Sequence, residues 1–274
     1  MNTDALPVSS TRRRLMLALG ALPFIPLAAH AKEAEMPMLE AVNQAGRQRT
    51  FPQRIAKFYA QQLCGVKADE AAPLKLKAVE LFEQQYRALT DFATRRNAKD
   101  ILDTYAKMGR IWDSYRSVAT GPVNLDGLKQ IATMSEQLLD LAQLGTTQFA
   151  TLSGTQFGKL VALAGRDRML SQRISKFYFL QAAGLQSAQI SAELEAGRKE
   201  FVANMQILKK SPENTKAIQS ALSLAETQWL FFDMGLQGAK NSQDLANQRN
   251  NIAVASENIF QVMDQLVASY TSLG

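Results

Sequence analysis

Two stretches of this sequence are near-copies at a fixed distance. Ala45-Gly46-Arg47-Gln48-Arg49-Thr50-Phe51-Pro52-Gln53-Arg54-Ile55-Ala56-Lys57-Phe58-Tyr59 recurs 119 positions later as Ala164-Gly165-Arg166-Asp167-Arg168-Met169-Leu170-Ser171-Gln172-Arg173-Ile174-Ser175-Lys176-Phe177-Tyr178. Ten residue types are identical at the same spacing, and Gln62 with Gln181 and Gly65 with Gly184 extend the match. A repeat of this length means two tandem supersecondary units, so the fold has to be read as a duplication.

On a helix each residue advances about 100°. Gly165, Arg168 and Gln172 then share one face, as do Gly46, Arg49 and Gln53. Arg166 and Arg173 form a second stripe with Leu170 and Phe177, matched by Arg47, Phe51, Arg54 and Phe58. Glycine beside arginine suits a close helix crossing with a positive charge inside it. The glycine admits the neighbouring backbone, and the guanidinium offers a planar fork of donors to a planar oxyanion. The alternative is a basic, solvated face with a packing glycine, but surface charge has no physical need to repeat in register.

The chain opens with targeting chemistry that does not belong to the fold. Thr11-Arg12-Arg13-Arg14 is a basic segment, Leu15 to Ala28 is an apolar run, and Ala29-His30-Ala31 is an A-x-A cleavage pattern. A signal peptide over residues 1–31 follows, with Lys32 as the mature start. Paired arginines before an apolar pair resemble a twin-arginine signal, with general secretion as the other possibility. Pro23 and Pro26 interrupt an apolar run shorter than the ~20 residues needed to span a bilayer, so no stable membrane insertion is expected after cleavage.

Cleavage changes the chemistry available. His30 is the only histidine and Cys64 the only cysteine, so the mature chain has neither a disulfide nor a Cys/His metal set. The formal charge is +6, and losing three arginines and one aspartate leaves +4. That mild excess gives little reason to expect nucleic acid as a partner. No nucleophile elbow is present, no cofactor is implied, and the carboxylates are scattered. Asp100 with Asp103 and Glu193 with Glu195 read as solvated helix charge. An enzyme is not expected.

The rest reads as helix, with apolar residues at i, i+3, i+4 and no sustained strand alternation. Breaks fall at Gly65 to Pro73, Arg95 to Lys99, Gly121 to Asn124, Ser153 to Gly158 and Gly184 to Ser187. Lys210-Ser211-Pro212-Glu213 reads as a helix start, with serine as cap and proline at the first helical position. Gly235 to Ser242 is the last loop before a helix to about Ser272. Each half gives four helices, the outer two longer than the inner two, with Trp112, Tyr115, Trp229 and Phe232 as core anchors. The expected fold is all-α: two tandem antiparallel four-helix bundles, about eight helices, over residues 32–153 and 154–274.

The Ala-Gly-x-x-Arg-Met-Leu-Ser-Gln-Arg pattern opening a long first helix resembles the PilJ/NarX-type sensor module. That module is the extracytoplasmic domain of type IV pilus chemotaxis transducers and of nitrate/nitrite sensor kinases. The resemblance implies a four-helix bundle in which nitrate is held between the first helices of two protomers, by the motif glycine's backbone and the arginine three residues on. Carried over, these are Gly46, Arg49, Gly165 and Arg168. Gln53 and Gln172 lie on the same face, and Arg54 and Arg173 follow directly, completing the candidate ligand set. The family pattern often has asparagine before Ala-Gly; Asn43 supplies it in copy one, whereas copy two has Ala162.

Family members usually continue into a transmembrane helix and a signalling module. This chain ends at Gly274, so the expectation is a periplasmic binding protein for nitrate or nitrite, read out by a membrane-bound sensor or transducer. A structural adaptor docking on a receptor or pilus component is the alternative. Two modules on one chain can assemble the two-helix site internally. Pro52 stands where copy two has Ser171, and a proline in a helix removes a donor and favours a kink. Arg168 is therefore expected to be the better-placed arginine and Arg49 the weaker.

The signal makes a prediction of its own. Changing Arg12 and Arg13 to Lys keeps the charge, so only a receptor that distinguishes the two side chains will respond. Precursor should accumulate in the cytoplasm; normal export of this variant returns the signal to the general pathway.

Overall fold

Side-chain caps set four of the eight described helix starts. In a computed structural model describing residues 36–236 and 242–273, four side chains accept the backbone N–H three residues on, satisfying one otherwise orphaned donor each. Asn124 Oδ1 accepts from Gly127 at 2.8 Å, Thr155 from Gly158 at 3.1 Å, Ser187 from Ile190 at 3.1 Å and Thr215 from Ile218 at 3.3 Å. The expectations for residues 1–31 lie outside the described residues.

The described residues form eight helices and no strand. They are α1 (Met38–Leu63), α2 (Ala68–Arg95), α3 (Lys99–Thr120), α4 (Leu125–Ser153), α5 (Gln156–Ala182), α6 (Ala188–Lys209), α7 (Lys216–Gly235) and α8 (Ser242–Thr271). The repeat is legible in the helix ends. Gly65 and Gly184 take positive φ values of 70° and 95° just past α1 and α5, a conformation costly for a residue with a Cβ. The next amides, Val66 and Leu185, each bond back to Gln61 and Leu180 at 2.9 Å, closing the same C-terminal turn twice.

Three sequence expectations need correction. Pro73 is not in a loop: α2 begins at Ala68, with Asp69 and Glu70 in its first turn complementing the helix dipole, and carries the proline inside. Ser211 and Pro212 do not start a helix. The Ser211 hydroxyl donates to Glu213 at 2.5 Å, and Asn214 donates to the Leu208 carbonyl at 2.8 Å, so this segment closes α6 and leaves the start of α7 to Thr215. In the first half α2, at 28 residues, is longer than α1 at 26, so the outer-long, inner-short plan holds only in the second half.

The helices assort into two tandem four-helix sets. In the first, α1 packs on α2 and α4, and α3 packs on α4; in the second, α5 packs on α6 and α8, and α7 packs on α8. The most extensive contact in the molecule is between sets, α1 against α5. The first helix of each set is thus an interior helix, and one continuous apolar core runs through both. Each set has its own aromatic anchor. Phe82 stacks on Trp112 with centroids 3.7 Å apart, and its repeat counterpart Phe201 stacks on Trp229 at 4.1 Å. Tyr115 and Phe232 are fully buried beside them. Among the described residues no helix is long and apolar enough to cross a membrane.

A shared core predicts shared unfolding. Phe82→Ala and Phe201→Ala, each removing a fully buried ring, should each cost about 3–5 kcal/mol. Because α1 and α5 bind the sets together, both variants should still melt in one transition by far-UV circular dichroism. Two separated transitions would show that the halves fold independently.

Candidate functional site

The duplicated motif meets itself where α1 crosses α5. Gly46 and Gly165 face each other there, and each is covered by both motif arginines. A Cβ built on Gly46 would lie 3.3 Å from an Arg49 Nη2 and 3.4 Å from Arg168 Nη2; on Gly165 it would meet the same atoms at 3.2 and 3.7 Å. Two guanidinium groups therefore converge on the small space the glycines leave. Arg49 is 2% exposed and Arg168 0%, which excludes the solvated-face alternative.

The partners follow a pseudo-two-fold pattern. Arg49 Nη2 donates to the Ala162 carbonyl of α5 at 2.9 Å, while Arg168 Nη2 donates to the Asn43 carbonyl of α1 at 3.3 Å. Each arginine also reaches the last helix of its own set. There the symmetry breaks: Arg168 pairs with the Asp264 carboxylate, whereas Arg49 Nη1 finds the neutral Gln143 Oε1 at 2.9 Å. The Asn43 side chain adds an acceptor to Arg168 at 3.0 Å, and Ala162 has none to offer Arg49. Arg49 makes no ion pair among the described residues. Burial, then the Arg166 and Arg168 charges, bring its pKa down to about 9. Burial lowers Arg168 to about 10, with Asp264 opposing the drop.

Further along the crossing lies a shell of exchanged ion pairs. Arg54 and Lys57 of α1 pair with Glu257 of α8, and Arg173 and Lys176 of α5 pair with Glu136 of α4. The first helix of each set is thereby held to the last helix of the other. Burial lowers both lysines to about 8, so they remain largely protonated at neutral pH. Burial alone would raise Glu136 and Glu257, but Lys176 with Arg173, and Lys57 with Arg54, bring both down to about 2. Arg54 also stacks over Phe260 at 4.4 Å and Arg173 over Phe177 at 4.9 Å. Glu193 also accepts from Arg173 at 2.9 Å, which corrects its reading as purely solvated charge.

The structure thus brings Gly46, Arg49, Gly165 and Arg168 to one point and gives the other four candidates different surroundings. Gln53 donates to the Ser135 carbonyl and Gln172 to the Ser256 carbonyl, both at 2.8 Å, while Arg54 and Arg173 are taken up by carboxylates. The ranking of the copies also changes. Pro52 sits inside an uninterrupted α1, its carbonyl accepting from Tyr115 at 2.6 Å, and Arg49 is as firmly enclosed as Arg168.

Sequence reading missed the acidic partners. Their signal was a second repeat, in the fourth helix of each set: Ser135-Glu136 and Gln143 recur at one spacing as Ser256-Glu257 and Asp264. Beside Arg49 a cavity of about 670 Å³ opens between α4, α5 and α6, lined by Gln143, Thr146, Thr147, Arg166 and Asn204.

Comparison with known families gives a match to the family described as type IV pili methyl-accepting chemotaxis transducer N-terminal (PilJ), over residues 38–143 and again over 153–255. The two matches begin at the first residue of α1 and just before α5, so each covers one four-helix set up to its last helix. Neither the curated proteins nor the solved structures give a match.

The carboxylate shell carries a pH dependence. Glu136 and Glu257 titrate lower folded than in an unfolded chain, so their contribution is present above about pH 4.5 and is lost as pH falls toward 2. Melting temperature should drop through that window, and Glu136→Gln with Glu257→Gln should flatten the drop. At pH 7 each single change should cost about 2–3 kcal/mol, less than a fully buried pair because the carboxylates keep some solvent contact. A wild-type melting temperature that stays level from pH 5 to 2.5 would contradict the assignment.

Proposed function

The chain belongs to the PilJ family of type IV pili methyl-accepting chemotaxis transducer N-terminal domains, and we propose that it is a periplasmic binding protein for a small oxyanion, nitrate or nitrite, acting through a partner. The observation that carries this reading is the convergence of Arg49 and Arg168 on Gly46 and Gly165, two buried cations from two copies of one motif. Like charges held together in a buried crossing repel, and an anion between or beside them relieves that repulsion while accepting from the guanidinium groups it reaches. Nitrate suits this chemistry because it is planar, singly charged and cheaply stripped of water. Two charge-assisted contacts at about 1.5–3 kcal/mol each put micromolar affinity within reach.

Export to the periplasm is supported by the basic, apolar and A-x-A pattern of residues 1–31, with the twin-arginine route favoured by Arg12 and Arg13. A role in binding and signalling, and not in catalysis, follows the family's place in chemotaxis transduction. A membrane-bound sensor or transducer is the partner this reading requires. A second reading, a docking adaptor with no ligand, is favoured by one feature. Leu230, Phe231 and Met234 of α7 are 57–61% exposed, a stripe of large apolar side chains with no cover among the described residues.

Titration calorimetry against a panel of small anions separates the two. Nitrate or nitrite should bind with an affinity independent of protein concentration, because both motifs lie on one chain. Arg49→Ala should cost at least about 2 kcal/mol, roughly thirty-fold, and Arg168→Ala less, because Asp264 already balances Arg168. If both variants bind like the parent, the anion is not held here; if no anion binds the parent, the adaptor reading takes over.

A further inference from the structure

We infer that the two halves of the crossing are not equivalent: Asp264 serves as a built-in anion on Arg168, and one external, singly charged oxyanion is taken on the Arg49 side, where Gln143 holds its place. This rests on the reading that the crossing binds small anions, and adds which half does so and how many.

The two halves present their acceptors at paired positions. Asp264 Oδ1 accepts from Arg168 and from Arg47, the latter through both Nε at 3.2 Å and Nη2 at 3.0 Å. Gln143 Oε1 occupies the matching point in the other half, accepting from Arg49 Nη1 at 2.9 Å and Arg166 Nη1 at 3.0 Å. One acceptor oxygen is shared between two guanidinium groups in each half. In one half that oxygen belongs to a carboxylate, and in the other to an amide. An amide presents the same acceptor geometry without the charge, so Arg49, unlike Arg168, has no carboxylate on its fork among the described residues.

No nearby carboxylate accepts from Arg49 itself. Glu200 is bonded to Arg166 through Nε at 2.6 Å and Nη2 at 3.0 Å, and so is matched to that arginine. Asp167 is fully buried, held by Asn204 at 2.8 Å, with its other oxygen unpartnered. Burial pushes its carboxyl well above the usual range, and neither of its oxygens accepts from Arg49.

There is also room. The cavity beside Arg49 is lined by Gln143 and Arg166 together with the hydroxyl-bearing Thr146 and Thr147, and Arg168 is not among its walls. Gln143 is only half-buried and its amide nitrogen is tied to nothing stronger than Thr147 Oγ1 at 3.3 Å. An oxyanion entering from this side takes over the oxygen position between Arg49 and Arg166 when the Gln143 side chain swings out. The Asp264 position cannot be vacated in the same way, because leaving it would strand a carboxylate from two arginines.

The test is calorimetry of the mature chain with sodium nitrate, on wild type, Gln143→Glu, Gln143→Met and Asp264→Asn, with melting curves of each in the absence of nitrate. Wild type should take one nitrate per chain. Gln143→Glu supplies the missing charge internally, so it should melt higher without nitrate and bind at least about thirty-fold more weakly. Gln143→Met removes the placeholder and should bind as tightly as wild type or tighter. Asp264→Asn should take a second nitrate. Undiminished nitrate binding by Gln143→Glu, loss of binding in Gln143→Met, or two nitrates on wild type would each overturn the inference while leaving the crossing as an anion site. Nitrate binding by Asp264→Asn alone would place the site on Arg168 and overturn the assignment of halves. Absence of binding in all four proteins removes the anion reading itself.

Discussion

Two guanidinium groups buried in one helix crossing are the constraint around which this molecule is arranged. At the separation the two glycines allow, their repulsion amounts to roughly 2–3 kcal/mol at an effective dielectric constant of about 20, and taking each cation out of water costs several more. The crossing therefore needs acceptors, and α1 and α5 supply them to each other. The carbonyl of Asn43 serves Arg168 and that of Ala162 serves Arg49. Neither helix can satisfy its own arginine, so neither is stable in this position without the other. That dependence explains why the most extensive packing in the molecule lies between the two sets and not within either.

The exchanged ion pairs extend the same logic. Lys57 and Lys176 are fully buried, yet each finds its carboxylate on the final helix of the opposite set. A buried pair of this kind contributes little net stability compared with an apolar contact, but breaking one side leaves an uncompensated charge. Such pairs fix which helix meets which. Their placement at matching positions, Glu136 with Glu257, makes the assembly a two-fold dimer written on one chain. A dimer of identical subunits must keep identical half-sites, whereas a tandem chain is free to let them diverge. Asn43 against Ala162, and Gln143 against Asp264, are where it has done so.

Much of this was written in the sequence, and the part that was not has a physical reason. The duplication announced two equivalent helical sets, and the i, i+3, i+7 spacing placed Gly46 with Arg49, and Gly165 with Arg168, on the faces that meet. Helix caps such as Asn124 were legible because their chemistry is local. Ser211-Pro212 imitated a cap, but its hydroxyl is spent on Glu213, a competition no local pattern reveals. The shell was harder still. Lys57 and Lys176 look like polar, solvated positions, since a lone helix carrying them would face water. They are buried because a second copy of the same helix covers them, with Ser135, Glu136, Ser256 and Glu257 supplying partners from far along the chain. Pro52 misled for the opposite reason: its local rule favours a break or kink, yet α1 continues through it, with Tyr115 donating to its carbonyl.

On the proposed reading, the charge inventory also sets what kind of anion the crossing tolerates. Arg168 and Arg47 share Asp264, Arg166 is met by Glu200, and Lys159 at the cavity's outer wall is exposed to solvent, leaving Arg49 as the arginine of the crossing with no carboxylate partner among the described residues. A singly charged ligand would suit that one unpaired fork. A doubly charged one would bring a second negative charge close to Glu200, and would pay a desolvation cost that grows with the square of the charge. On that reading the empty and filled states of the Arg49 half differ by one charge where α4, α5 and α6 meet, and it is at that junction that an anion would have the leverage to stiffen the bundle.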